Sequence, residues 1–245
     1  MSPALSLPPS LAAKLPKDPA STAALEHAHS ILPTAIFHHS LRVYLHALHY
    51  GTHAALSLKE WPGWWEENTA RAEALLFIAA ISHDVGTASE HNGPQRFEVE
   101  GADAAKKICL EQGIDEGDAH AVWTAIAIHT SAGIAERIDP LSRLIRLGVK
   151  VDFTPPEQRN DIVPGVDAAS YAEILESDLP RLEVERVLAD AVVAQGNPCL
   201  NVEIDNLVWP SSEKHPKASW PGILLRAHVE NPAHDGWQDG RNPAF

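Results

Sequence analysis

The chemistry in this chain concentrates where LLFIAAISHDVGTASEHNG, Leu75 to Gly93, turns abruptly from apolar to titratable. Seven apolar residues, Leu75 to Ile81, are followed after one serine by His83 and Asp84, and Val85 and Gly86 then break the helical register. Burying an imidazole beside a carboxylate costs several kcal/mol unless something pairs with them. A metal ion is one such partner, but two ligands are too few to hold it. The chain has fourteen histidines to supply more and only two cysteines, Cys109 and Cys199, so thiolate metal knuckles and disulfide frameworks are excluded. Both cysteines read as plain buried thiols.

In IFHHSLRVYLHALHYGTH, His39, Arg42, His46, His49 and His53 share one helical stripe. A helix rises about 1.5 Å per residue, which separates His39 from His46 by about 10 Å, so one ion cannot take both. His39 is the better choice, because Ser40 and Arg42 beside it can support the site or meet a substrate while the other histidines run toward the helix end. A fourth candidate is Asp152, which closes PLSRLIRLGVKVDFTPP after Leu144, Leu147, Val149 and Val151. The helix dipole disfavours an unpaired anion at that end, and a cation removes the penalty; taken by itself, Asp152 reads as a surface acid. His129 and Thr130 end another apolar stretch containing Val122, Trp123, Ala125, Ile126 and Ile128. A neutral imidazole there binds a second ion or moves protons beside a single one.

These residues must be positioned by helices. Apolar residues recur at three- and four-residue spacing in 21–31, 34–51, 69–84, 98–112, 115–130, 138–152, 168–176, 181–195 and 219–230, and no stretch alternates as a strand does. One all-α domain over 21–230 is expected, between a Pro-rich irregular segment, 1–20, and a tail, 231–245, that reads as an extended strap. Trp61, Trp64 and Trp65 crowd one loop, which packs over the core or forms a lid or homodimer contact. A formal charge of -14, from 19 basic and 33 acidic residues, argues against nucleic acid and anionic lipid as partners. With no apolar run of about 18 residues and no signal-like start, a cytoplasmic protein acting on a small molecule is expected.

Five ordered blocks, HHSLRV, SHDVGTA, RFEVEGADAA, AIAIHTSAGI and RLGVKVDF, cover about residues 35 to 155. Their H, HD, D order, at separations of 44 (39 to 83) and 68 (84 to 152), resembles the HD superfamily of metal-dependent hydrolases and hydratases, most closely its cyanamide hydratase-like branch. The resemblance implies an HD-domain helical bundle in which His39, His83, Asp84 and Asp152 hold one divalent transition metal. Zn(II) suits that donor set first, with Fe(II) or Mn(II) as alternatives. It further implies a catalytic role for Asp84, His129 and Thr130, with Thr87, Phe97, Glu98 and Arg42 near the substrate. Glu98 is either a substrate contact or a cap for its own helix.

The implied reaction is addition of activated water to a small nitrile, cyanamide giving urea. Many phosphohydrolases of this superfamily follow the His-Asp pair with a Gly-Lys; Thr87, after Gly86, stands at the place of that Lys, which weakens the case for a phosphate ester. A two-iron oxygenase needs two further histidines before Asp152, and His120 lies about 13 Å up the helix from His129, so a second iron site is not expected. Hydrolysis of a nucleotide or small phosphomonoester is the alternative, and a non-catalytic helical binding protein is a second one.

Overall fold

The computed structural model describes residues 7–51, 58–162, 167–196 and 219–230, and among these all regular structure is helical. The helices are α1 (Pro9–Ala12), α2 (Pro19–Ile31), α3 (Thr34–Gly51), α4 (Thr69–Ser82), α5 (Phe97–Glu111), α6 (Glu116–Ala127), α7 (Ala135–Ile138), α8 (Pro140–Phe153), α9 (Arg159–Ile162), α10 (Ala168–Asp178), α11 (Val184–Gly196) and α12 (Trp220–Glu230). His53, Cys199 and the tail 231–245 lie outside the described residues. None of the described helices is long and apolar enough to cross a membrane.

Short polar side chains start these helices. Asp18, Asn68, Asp115, Asp139 and Asp167 each accept a backbone N–H from the first turn of α2, α4, α6, α8 and α10, at 2.8–3.1 Å. Such bonds satisfy donors that a helix end leaves orphaned. Pro19 and Pro140, first residues of α2 and α8, lose nothing there because their missing N–H has no intrahelical partner.

Several boundaries differ from the periodicity. The span 115–130 stops as helix at Ala127, and a tighter turn in which the His129 amide donates to the Ile126 carbonyl (3.3 Å) carries His129 and Thr130 off the axis. The span 138–152 begins as a separate α7, divided from α8 by the extended Asp139. Within 1–20, α1 forms, Leu11 and Leu15 are buried, and the Tyr44 hydroxyl donates to the Lys14 carbonyl (3.1 Å).

Helix α4 is the centre of the bundle, packed against α2, α3, α6 and α8, and each residue from Leu75 to Ser82 is buried. That explains the unbroken apolar run Leu75–Ile81: no face of this part of the helix meets water. Cys109 belongs to the same core, and burial pushes its thiol up to about 11. Trp65 is buried, Trp64 packs at the core edge, and Trp61 lies under the Arg143 guanidinium (5.1 Å), so this loop covers the core.

Two glycines allow close backbone approach. A methyl group at Gly148 of α8 would stand 2.5 Å from the Val43 carbonyl oxygen of α3, and one at Gly86 would stand 1.8 Å from the Phe97 carbonyl oxygen of α5. Gly86 does not have a positive φ, so it serves proximity and not left-handed geometry. The first approach brings the end of α8 to α3; the second presses the turn after α4 onto α5.

Candidate metal centre and its pocket

His39 projects from the second turn of α3, and His83 and Asp84 leave α4 where it ends. All three are buried, and their ligand atoms converge. His39 Nε2 and His83 Nε2 are 3.2 Å apart, while Asp84 Oδ2 stands 3.6 Å from the first and 3.2 Å from the second.

The opposite edges of the rings set their tautomers. His83 Nδ1–H donates to the Ala80 carbonyl (2.7 Å), and His129 Nδ1–H donates to the Ile126 carbonyl (2.7 Å). A carbonyl only accepts, so a neutral ring in either place turns an Nε2 lone pair inward. His39 Nδ1–H donates in the same sense to Asp152 Oδ2 (2.6 Å). Two imidazole lone pairs therefore face each other beside Asp84 Oδ2, a buried oxygen without a hydrogen-bond partner. A proton on His83 relieves that repulsion: burial opposes it, but the Asp84 carboxylate, the Ala80 carbonyl and Asp152 together outweigh burial and raise the pKa. A divalent cation relieves it more fully, and two imidazoles with one carboxylate are a donor set that leaves coordination positions open.

Asp152 makes the outer half of this arrangement. Its Oδ1 accepts from Arg42 Nε (2.7 Å), its Oδ2 from Arg42 Nη2 (2.9 Å) as well as from His39, and His46 Nε2 is 3.7 Å from Oδ1. Asp152 and Arg42 are fully buried. Burial alone would raise the carboxyl pKa, but the Arg42 guanidinium, with His39 and His46, holds it well below the usual range. Asp84 is likewise held low, against burial, by His83, His39 and His129.

The ligand face opens into a cavity of about 290 Å³. His39, His83, Asp84, His129 and Thr130 form its floor; Val149, Phe153, Leu188 and Trp220 form apolar walls; Arg146, Lys150 and Thr154 also line it. His129 Nε2 is 3.7 Å from Asp84 Oδ1, and burial, then the neighbouring His83, pushes its pKa down to about 4. It is a neutral base near pH 7.

Residues 36–154 match the HD domain family. The match covers just under half of the chain. HD domains are in general metal-dependent hydrolases, and among the described residues the converged His39, His83 and Asp84 could hold such an ion. No curated protein matches the chain.

Several residues singled out from sequence lie apart from the converged ligand atoms or from the cavity lining. Asp152 does not join the other three ligand atoms: it sits on the Nδ1 side of His39, both oxygens engaged, because the close α3–α8 approach delivers it to Arg42. Arg42 does not face the cavity, its guanidinium being spent on Asp152 and the Leu179 carbonyl (2.9 Å). Thr87 donates to the Asp84 carbonyl (2.7 Å) and is buried outside the cavity lining. Phe97 lies behind His129, rings 5.7 Å apart, where it supports the floor. Glu98 neither lines the cavity nor merely caps α5: it accepts from Thr130 Oγ1 (2.7 Å) and Arg96 Nε (3.0 Å), tying α5 to the His129 turn.

Sequence reasoning missed Arg146, Lys150, Phe153, Leu188 and Trp220. The first three share a stripe of α8 with Val149 at i, i+3, i+4 and i+7, a signal present in the sequence. Leu188 and Trp220 come from distant helices and carry no local signal.

Proposed function

We propose that this protein is a metal-dependent hydratase that adds water to a small nitrile-type substrate, converting cyanamide to urea. The observation that carries the reading is the neutral, buried His129 beside a three-ligand centre whose open side faces a small cavity with apolar walls. A divalent ion, Zn(II) first and Fe(II) or Mn(II) as alternatives, supplies Lewis acidity and lowers the pKa of water toward 7. Asp152 and Arg42 hold His39 in the tautomer that presents Nε2 inward. His129 takes a proton from the attacking water as the new C–O bond forms and returns it to the nitrile nitrogen; tautomerisation of the isourea gives urea, with no net proton consumed. Phe153, Leu188 and Trp220 keep bulk water from the cavity.

A second reading, hydrolysis of a phosphomonoester, is favoured by Arg146 and Lys150, which supply from α8 the positive charge absent at Thr87. Elemental analysis, followed by urea and phosphate release assays, separates the two. About one equivalent of transition metal with urea formed from cyanamide is expected. Phosphate release without urea overturns the hydratase in favour of the second reading, and a metal-free preparation at full activity overturns both.

A further inference from the structure

Cyanamide would fill only a small part of the cavity, and it makes no use of the two cations there. Arg146 and Lys150 stand one turn apart on α8, about 6 Å along its axis, with Val149 between them on the same wall. Lys150 is exposed and, among the described residues, its ammonium makes no ion pair. Arg146 is only loosely held: Nε is 3.3 Å from Glu136 Oε1 and Nη1 is 3.3 Å from the His129 carbonyl. No hydrogen bond engages its Nη2 among the described residues.

The sign of this mouth runs against the whole chain. With 33 acidic and 19 basic residues, an acidic lining is the default, yet among the described residues Asp84 is the one acid that lines the cavity, and it belongs to the metal centre. Glu136 offsets Arg146 in part, its Oε1 standing 3.3 Å from Arg146 Nε. Low-dielectric walls of Val149, Phe153, Leu188 and Trp220 concentrate the field of the two cations into the opening. A forked guanidinium beside a point-charge ammonium is the pairing that receives an oxyanion.

We infer that Arg146 and Lys150 form an anion subsite, and that the substrate is a small cyano compound with a carboxylate at the end remote from the reacting carbon. The nitrile part rests on the hydratase reading; the anion subsite does not. The apolar wall at Val149 and Phe153 accommodates the short carbon chain between the two ends.

The test compares cyanamide with a series of ω-cyano carboxylates of two to five carbons and their methyl esters, using the metal-loaded full chain. Urea or amide formation is measured, and binding is followed separately by calorimetry. For the best-fitting acid, kcat/KM is expected to exceed that of its ester at least tenfold, about 1.4 kcal/mol. That preference should shrink about tenfold in Lys150→Gln and in Arg146→Gln, and it should weaken as salt is raised. Calorimetric affinity for the acid should fall in parallel, whether or not it turns over. If no nitrile reacts but the acid still binds through Lys150 and Arg146, the hydratase reading fails and the subsite stands. If cyanamide is hydrated while acid and ester bind alike, or the variants bind the acid as well as the wild type does, the subsite is overturned. A phosphomonoester that binds through both cations and is hydrolysed overturns the cyano-carboxylate assignment.

Discussion

Replacing Asp152 by Asn tests the outer half of the metal centre without changing its shape. The carboxylate receives Arg42 Nε, Arg42 Nη2 and His39 Nδ1 at 2.7, 2.9 and 2.6 Å, with no part of the group exposed. An amide keeps one accepting oxygen and loses the charge, leaving the Arg42 guanidinium buried and uncompensated. Breaking a buried pair in this way costs about 3–5 kcal/mol. In a protein of this size each kcal/mol lowers Tm by roughly 2–4 °C, so a drop of about 6–20 °C is expected in chelator-treated protein. The amide NH₂ also opposes the proton on His39 Nδ1 and drives the ring toward the tautomer with Nε2 protonated, which blocks a ligand atom. Metal affinity should then fall about 10–100-fold, the usual effect of losing a group that orients a ligand, while saturating metal still binds. Thermal melts with and without chelator measure the first effect, and competition against a chromophoric chelator measures the second. A metal-free Tm within about 2 °C of wild type would refute the argument from the buried pair. Loss of metal as complete as in Asp84→Ala would make Asp152 a direct ligand and refute the placement behind His39.

His129→Gln should keep its metal while kcat falls about 10²–10⁴-fold, the range for removing a general acid–base group; metal loss matching His83→Ala, read by elemental analysis, would contradict this role. His129 also links stability to pH. Its folded pKa of about 4 lies below the unfolded value of about 6.5, so the unfolded chain takes up the proton more readily. The neutral ring's contribution is complete above about pH 6.5 and is lost as pH falls toward 4, about 3 kcal/mol in all. Tm in His129→Gln should therefore depend less steeply on pH across that window, and an unchanged slope would count against the buried neutral ring. Gly148→Ala puts a methyl group 2.5 Å from the Val43 carbonyl oxygen, so α8 must retreat from α3. A loss of about 1–3 kcal/mol is expected in denaturant titration, with weaker metal binding because Asp152 moves too; wild-type stability would show that the approach is not tight.

Much of the bundle was legible because helix signals are local. Apolar spacing of three and four marks the faces that pack, and it alone placed the helical segments. The unbroken apolar run Leu75–Ile81 marked a helix buried on nearly every face, and His83 with Asp84 at its end marked where buried charge needs a partner. The rise of a helix showed that His39 and His46 cannot share one ion, and the choice of His39 rested on Ser40 and Arg42 beside it.

Whether Asp152 meets the ion or the far edge of His39 was not legible. That depends on which imidazole nitrogen the carboxylate reaches, a matter of ångströms set by how closely Gly148 lets α8 approach Val43. Arg42 and Glu98 show the same limit: their types suit substrate contact, but burial and the nearest opposite charge turned them into struts. The cavity walls were decided only by tertiary structure, because Val149, Leu188 and Trp220 lie on three helices, α8, α11 and α12, with no spacing rule connecting them. Sequence determines which groups a helix offers on each face, and packing determines which atom of each group meets which neighbour.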